Sequence, residues 1–541
     1  MNFSSGNYNC FQEKCGIFFW GIHGHDALWH FALIENAFKS FPFRMPIYSG
    51  SELSGYNFLY DLLIFLLTKA GIPIMFSYFK LFPIVWFIVF TAMIIVLARK
   101  IKDKPLFVGL FLFLTYFTGS FSYYFTLAKD KTIWGSAGLL AQMVYHLVYN
   151  PQFSLSLLGI LYVLIKIIER KNDLRTMMVL NAIVFINLGL KFYGGVVTAF
   201  MVFLYISFEI LSKKIDLRKY IKYIFILSVF TVAAIVIFYY RFQGKDNGSV
   251  FAWSPFALVH PITEDPSLFY LRKITDARYF LESQGIGPRL VLIELLNLSL
   301  FLFFYLGVRF FGVVYLLIKI IRKKSNAFDA IVGWTMFGST LLSILLVQKA
   351  EWWNTIQFFY YTIFLSTIYI SEFAYKLMIK KKIWQGLSIM LLILAVPTTI
   401  DIIKGFSAYP GHSYLPLGEY EALQFLKKQP DGVVLTTQYD DNVKTGLDYP
   451  QPLYAYSDTS YVSAFSSKVT YLNDIVQLRL IGIDYLDRMK KIKSNDCAVL
   501  KEVDYIYFNN DNKINTNLFN CSSKLEMIYG NRTASVYKVS K

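Results

Sequence analysis

The chain has 541 residues, 55% of them hydrophobic and 16% charged, with a mean hydropathy of +0.45. A soluble domain carries about a quarter charged residues, so this chain holds more apolar surface than water accommodates. Its formal charge of +17 does not mark a nucleic-acid partner, because Lys and Arg recur in short clusters at the ends of apolar runs.

In chain order, residues 1–77 come first. They open on Met-Asn-Phe-Ser-Ser-Gly, without the basic and apolar regions of a signal peptide. After Asp26, Ala27–Asn36 reads as an amphipathic helix, and Tyr56–Leu67 as a second, too short to span and carrying Asp61. A turn-rich link through Phe41–Pro46 and Tyr48–Gly50 joins them. Both helices are expected to lie in the headgroup plane with one face in lipid.

Residues 78–402 follow, with about ten apolar segments long enough, or nearly so, to cross ~30 Å of hydrocarbon. These are Phe79–Leu97, Leu106–Phe121, Phe153–Ile168, Met177–Leu190, Gly194–Leu211, Tyr223–Tyr240, Val291–Ile318, Ile331–Val347, Phe358–Met378 and Ile383–Ile400. In residues 403–541 the pattern changes: Glu419–Lys428 has helical periodicity, while Gly432–Thr437, Tyr505–Phe508 and Ala534–Val539 read as strands. The fold class is therefore mainly α: a polytopic transmembrane helix bundle with external amphipathic helices and a small C-terminal α/β soluble domain.

Every second connector is basic. Arg99–Lys104, Lys166–Arg175, Lys213–Lys222, Arg322–Lys324 and Lys380–Lys382 are the clusters. The positive-inside rule puts these five in the cytoplasm, and the N-terminal loop and C-terminal domain outside the plasma membrane. An external start without a signal peptide leads to the expectation that a native first transmembrane helix is missing; unaided translocation is the alternative. All four cysteines, Cys10, Cys15, Cys497 and Cys521, fall in external segments. Two local disulfides are the expectation in an oxidising compartment, with buried free thiols as the alternative.

Chemistry is expected first at Asp26, in Gly24-His25-Asp26 ahead of a helix. A carboxylate there suits a general base or a cation ligand, though spacing alone favours the plainer reading of a helix N-cap. His25 and His30 lack the i, i+4 spacing of a helical metal pair, which argues against structural zinc. Lys191-Phe192-Tyr193 and the stretch Lys349–Gln357, with Glu351, Asn354 and Gln357, interrupt apolar runs, and Arg278 lies in the long external loop. Such groups could bind a lipid-linked phosphate; snorkelling to headgroups or loop solvation is the plainer alternative.

The segment His25-Asp26-Ala27-Leu28-Trp29-His30, the stretch Gly55–Leu63 and the many spans with an external tail resemble the GT-C glycosyltransferases. These are membrane enzymes of the protein mannosyltransferase-like and oligosaccharyltransferase-like kind. The resemblance implies sugar transfer from a polyprenyl-phosphate donor to an acceptor (glycan, lipid or protein) on the outer face, with membrane lipid as the surrounding partner. It implies that Asp26 serves as base or as ligand of a divalent cation (Mg or Mn). It maps the family's cationic groups near the lipid phosphate to Lys191, Arg278 and Lys349, and the expected substrate-binding set adds their neighbours Tyr193, Glu351, Asn354 and Gln357, with His25 beside Asp26. Two departures stand out: no second acidic residue adjoins Asp26, and no transmembrane helix precedes its loop. A lipid or glycolipid transporter is the rival reading, against which no internal repeat is found; a non-catalytic envelope scaffold is the third.

Overall fold

A computed structural model describes residues 2–136, 139–240, 250–444, 446–510, 521 and 524–540. The chain is mainly helical and forms two compact units. One gathers Met1–Ile84, Phe238–Asn247 and Phe406–Lys541; the other holds Val85–Ile237 and Gly248–Gly405.

Among the described residues, seven helical runs are long and apolar enough to cross a membrane. They are Ile74–Ile101, Pro151–Glu169, Phe192–Leu211, Leu217–Tyr239, Pro288–Leu306, Ala327–Leu345 and Lys382–Ser407. Pro105–Phe117 and Leu174–Leu190 are apolar but shorter. The helix Ile356–Met378 is buried on nearly every face, at the centre of the helical unit. Its polar side chains are satisfied locally: the Ser366 hydroxyl donates to the Ile363 carbonyl at 2.8 Å and that of Ser371 to Thr367 at 2.7 Å. Back-bonding of this kind lets a helix with many hydroxyls sit in a dry core. A neighbouring helix comes very close, since a Cβ on Gly312 would lie 2.4 Å from the Ile370 nitrogen.

The expected single span Val291–Ile318 is two helices, Pro288–Leu306 and Arg309–Ile321. Gly307 breaks it at φ +57°, and a Cβ there would meet the Gly119 carbonyl oxygen at 2.5 Å. Broken helix ends need partners for their backbone groups. Here the Phe121 amide donates to the Phe304 carbonyl at 2.8 Å. The buried Arg309 guanidinium donates to the Thr118 carbonyl at 3.0 Å and to the Thr367 hydroxyl at 2.9 Å.

The other unit is built on two sheets. One runs in the order Asn7–Phe11, Lys14–Phe19, Ser413–Pro416, Gln451–Pro452, and Cys10 is bonded to Cys15 across its first hairpin. The second runs Lys524–Gly530, Ala534–Ser540, Tyr505–Asn509, Val433–Thr436, Val469–Thr470, with helix Leu417–Lys428 packed against it. Cys497 is bonded to Cys521.

The helix Asp26–Asn36 differs from the surface helix expected: Ala27 through Ile34 and Asn36 are all buried. Its polar residues find protein partners instead of water, the Asn36 amide donating to the Ser463 carbonyl at 3.0 Å. Leu59–Lys69 does keep a two-sided character, with Tyr60, Asp61 and Ile64 buried while Leu63 and Leu66 are exposed.

Gly307→Ala is expected to destabilise the helical unit by about 1–3 kcal/mol, because the added Cβ meets both an unfavourable φ and a backbone oxygen. Thermal unfolding of the detergent-purified protein checks this; an unchanged midpoint would show that the break tolerates a side chain.

Candidate functional site

The site begins with a strand pairing. Lys14–Phe19 lies antiparallel to Ser413–Pro416, from Gly16 opposite Pro416 to Phe19 opposite Ser413. The chain then makes a tight turn, Gly21–Gly24, pinned by a bond from the Gly21 amide to His412 Nδ1 at 3.0 Å and one from the Tyr456 hydroxyl to the Gly21 carbonyl at 3.2 Å. A Cβ on Gly24 would come within 2.0 Å of the Ser413 hydroxyl, so a side chain there would force Ser413 to move. This turn delivers His25 and Asp26 at the mouth of the Asp26–Asn36 helix.

Asp26 is the first residue of that helix and not its N-cap; the cap position is His25, whose side chain makes no capping bond. The Asp26 carboxylate is held sideways instead, its Oδ1 2.7 Å from His25 Nδ1, with 46% of the Asp26 side chain exposed against 20% for His25. A carboxylate in the first helical turn also faces the positive end of the helix dipole.

Two further carboxylates, which the sequence did not single out, act on the same histidine. Asp458 follows the short helix Leu453–Tyr456, and Asp474 caps Ile475–Ile481 through its bond to the Gln477 amide. Burial alone would lower the His25 pKa. The bond to Asp26 and the fields of Asp26, Asp474 and Asp458 outweigh it and hold the imidazole up at about 9. The same burial, with Asp458 alongside, pushes Asp474 up to about 7. Asp458 is raised as well, by burial, against the Ile475 amide and His25. At neutral pH His25 is thus an imidazolium among three carboxyl groups, and Asp26 is the one with a substantially exposed side chain.

Behind Asp26, one helical turn on, His30 shares its helix face. His30 Nδ1 lies 2.8 Å from Asp61 Oδ1, and both side chains are buried. Burial raises the Asp61 carboxyl above its ordinary range, while the charge and hydrogen bond of His30 pull it back. The Tyr56 ring packs 5.4 Å from Trp29 and 6.3 Å from His30, and its phenol feels both Asp61 and Asp26. His30–Asp61 is therefore a buried pair supporting the helix that carries Asp26.

The remaining expected residues belong to the helical unit. The structure brings several together around Gln348, which the sequence reading passed over. The Tyr193 hydroxyl donates to Gln348 Oε1 at 3.1 Å, Asn354 Nδ2 donates to the same oxygen at 2.6 Å, and Gln357 Nε2 donates to Asn354 Oδ1. Glu351 accepts from the Trp353 indole at 3.2 Å. Lys191 sits at the start of the Phe192–Leu211 helix, and exposed Lys349 follows strand Leu346–Gln348. Arg278 is different. Its guanidinium is buried and held by Glu264, at 2.9 Å from Nε, and by Glu282, at 2.8 Å from Nη1. Two carboxylates already occupy the fork that a phosphate would need.

The donor set near Asp26 does not by itself make a divalent-cation site. Asp26 Oδ1 is taken by His25, an imidazolium has no lone pair to offer, and no three His, Cys, Asp or Glu side chains group for a metal among the described residues.

Asp61→Ala is expected to cost about 3 kcal/mol of stability by leaving His30 buried without its partner, and Asp61→Asn less. Chemical unfolding of the two variants measures it, and equal losses would show that the retained hydrogen-bonding group contributes nothing beyond the charge. No protein-family model matches the chain, and no curated protein matches it.

Proposed function

We propose that the chain is a membrane glycosyltransferase of the GT-C kind, moving a sugar from a polyprenyl-phosphate donor to an acceptor hydroxyl at the outer face of the plasma membrane. What supports this reading is the carboxylate of Asp26, partly exposed, fixed by His25, and attached to a chain whose helices are apolar enough to cross a membrane. The basic connectors carry the assignment of sides.

In this reading Asp26 accepts the acceptor's hydroxyl proton as the oxygen attacks the anomeric carbon. The new C–O bond forms while the anomeric bond to phosphate breaks, and the phosphate departs with the electron pair. The His25 imidazolium favours the ionised form of Asp26 and orients its carboxylate. Of the three cations that the resemblance implies for a phosphate, Lys191, Lys349 and Arg278, the last is already neutralised by Glu264 and Glu282 and has a structural part.

Transfer from a panel of polyprenyl-phosphate sugars, measured in proteoliposomes, tests the proposal. Asp26→Asn should lower the rate by at least about 100-fold, the lower range for loss of a general base. His25→Gln removes the positive charge that favours ionised Asp26, so the acid limb of its pH–rate profile should move to higher pH while the plateau changes little. Full activity in a folded Asp26→Asn protein would overturn the role of Asp26.

A further inference from the structure

Within the helical unit, away from any residue assigned to sugar transfer, lies a cavity of about 420 Å³. It opens where several helices carry their basic residues. Lys100, Lys102, Arg170, Lys319 and Lys376 line it, against the carboxylates of Glu209, Asp329 and Glu372.

The carboxylates are already committed. Glu209 and Asp329 are each 1% exposed. Glu209 receives Arg170, 2.9 Å from Nε, and the Asn172 amide. Asp329 receives Lys319 at 2.8 Å and caps its own helix through the Asn326 amide at 2.9 Å. Glu372 is shared by Lys319 and the Tyr315 hydroxyl, both at 3.4 Å. Lys100 turns to Glu169 at 2.8 Å.

Two ammonium groups are left over. Lys102 Nζ stands 4.4 Å above the Tyr375 ring, and Lys376 Nζ stands 4.8 Å above the Tyr315 ring and bonds its hydroxyl. Neither has a carboxylate within ion-pair distance among the described residues. Aromatic faces hold such cations in place without neutralising them. Ile101, Ile167, Ile168 and Ile331 supply an apolar wall beside them. A cationic mouth on an apolar wall, at the basic end of a helix bundle, matches an anion that carries a phosphate group.

We propose that this cavity is a binding site for a phosphate-bearing anion, with Lys102 and Lys376 as its principal contacts. The inference is independent of the glycosyl-transfer reading. The phosphate could belong to a lipid headgroup or be free in solution, and the test separates the two.

The full-length protein is purified in detergent and its thermal unfolding followed with short-chain phosphatidylglycerol, short-chain phosphatidylcholine or inorganic phosphate. Phosphatidylglycerol or inorganic phosphate should raise the midpoint by about 3 °C or more. Protection by the lipid alone assigns a headgroup, and equal protection by inorganic phosphate assigns a free anion. K102Q/K376Q should weaken the apparent affinity by about fivefold or more, while K381Q/K382Q, with the same charge loss outside the cavity, should bind as the parent does. If the first double variant does not fold, K376Q alone, at an exposed side chain, should weaken binding about threefold. Equal protection by phosphatidylcholine, no protection by either anion, or the same affinity in K102Q/K376Q or folded K376Q as in the parent would overturn the proposal.

Discussion

The pairing of Lys14–Phe19 with Ser413–Pro416 is the constraint on which the unit carrying Asp26 depends. Backbone N–H and C=O groups must find partners, and here a strand near the start of the chain finds them in one beginning almost 400 residues later. The fit is close enough to exclude a side chain: a Cβ on Gly16 would lie 1.9 Å from the Leu415 carbonyl oxygen. Side chains then extend the seam. Asn36 reaches Ser463, Lys39 donates to the Ser467 carbonyl at 2.8 Å, and Arg488 lies between the rings of Tyr48 and Tyr471 while donating to the Ser49 carbonyl at 2.7 Å. Without this ladder His25 would have no reason to stand near Asp458 and Asp474.

Exposure divides the labour among the carboxylates so gathered. Asp61 is fully buried and committed to His30, so its contribution is to the helix and not to a ligand. Asp474 is buried, and that burial first, with the charge of half-buried Asp458 second, raises its carboxyl. Asp26 alone keeps nearly half of its side chain in solvent while being oriented by a cation. A carboxylate that is both accessible and held in place is the one able to act on something that arrives from outside.

How much of this was legible depends on whether the signal was local. Helix Leu417–Lys428 and strands Val433–Thr436, Tyr505–Asn509 and Ala534–Ser540 lie where the periodicity puts them, because a strand or a short helix writes its burial pattern into adjacent residues. The break at Gly307 was hidden inside a continuous apolar run, although Arg309 two residues on was a visible anomaly. The burial of Asp26–Asn36 was hidden too, since His30 and Asn36 look like solvent-facing polar residues until Asp61 and Ser463 are known to meet them. Asp458 and Asp474 left no trace at all. Their relation to His25 is made by a pairing across most of the chain, and no window of sequence contains both partners.

The cations of the helical unit separate along a similar line. Arg309 donates to carbonyls at the end of the separate helix Pro105–Phe117 and to a hydroxyl, supplying partners for the unpaired carbonyls at that helix's C-terminus. Arg278 and Arg170 are closed by glutamates. In each case the guanidinium fork is filled by partners within the fold, and displacing them would strand a buried carboxylate or carbonyl. Lys102 and Lys376 rest on tyrosine rings instead. A ring stabilises an ammonium group weakly and leaves its charge uncancelled, so an arriving anion has no ion pair to break there. The basic character of this chain thus has two physical meanings: charge consumed in holding irregular helices together, and charge left at the surface for a ligand.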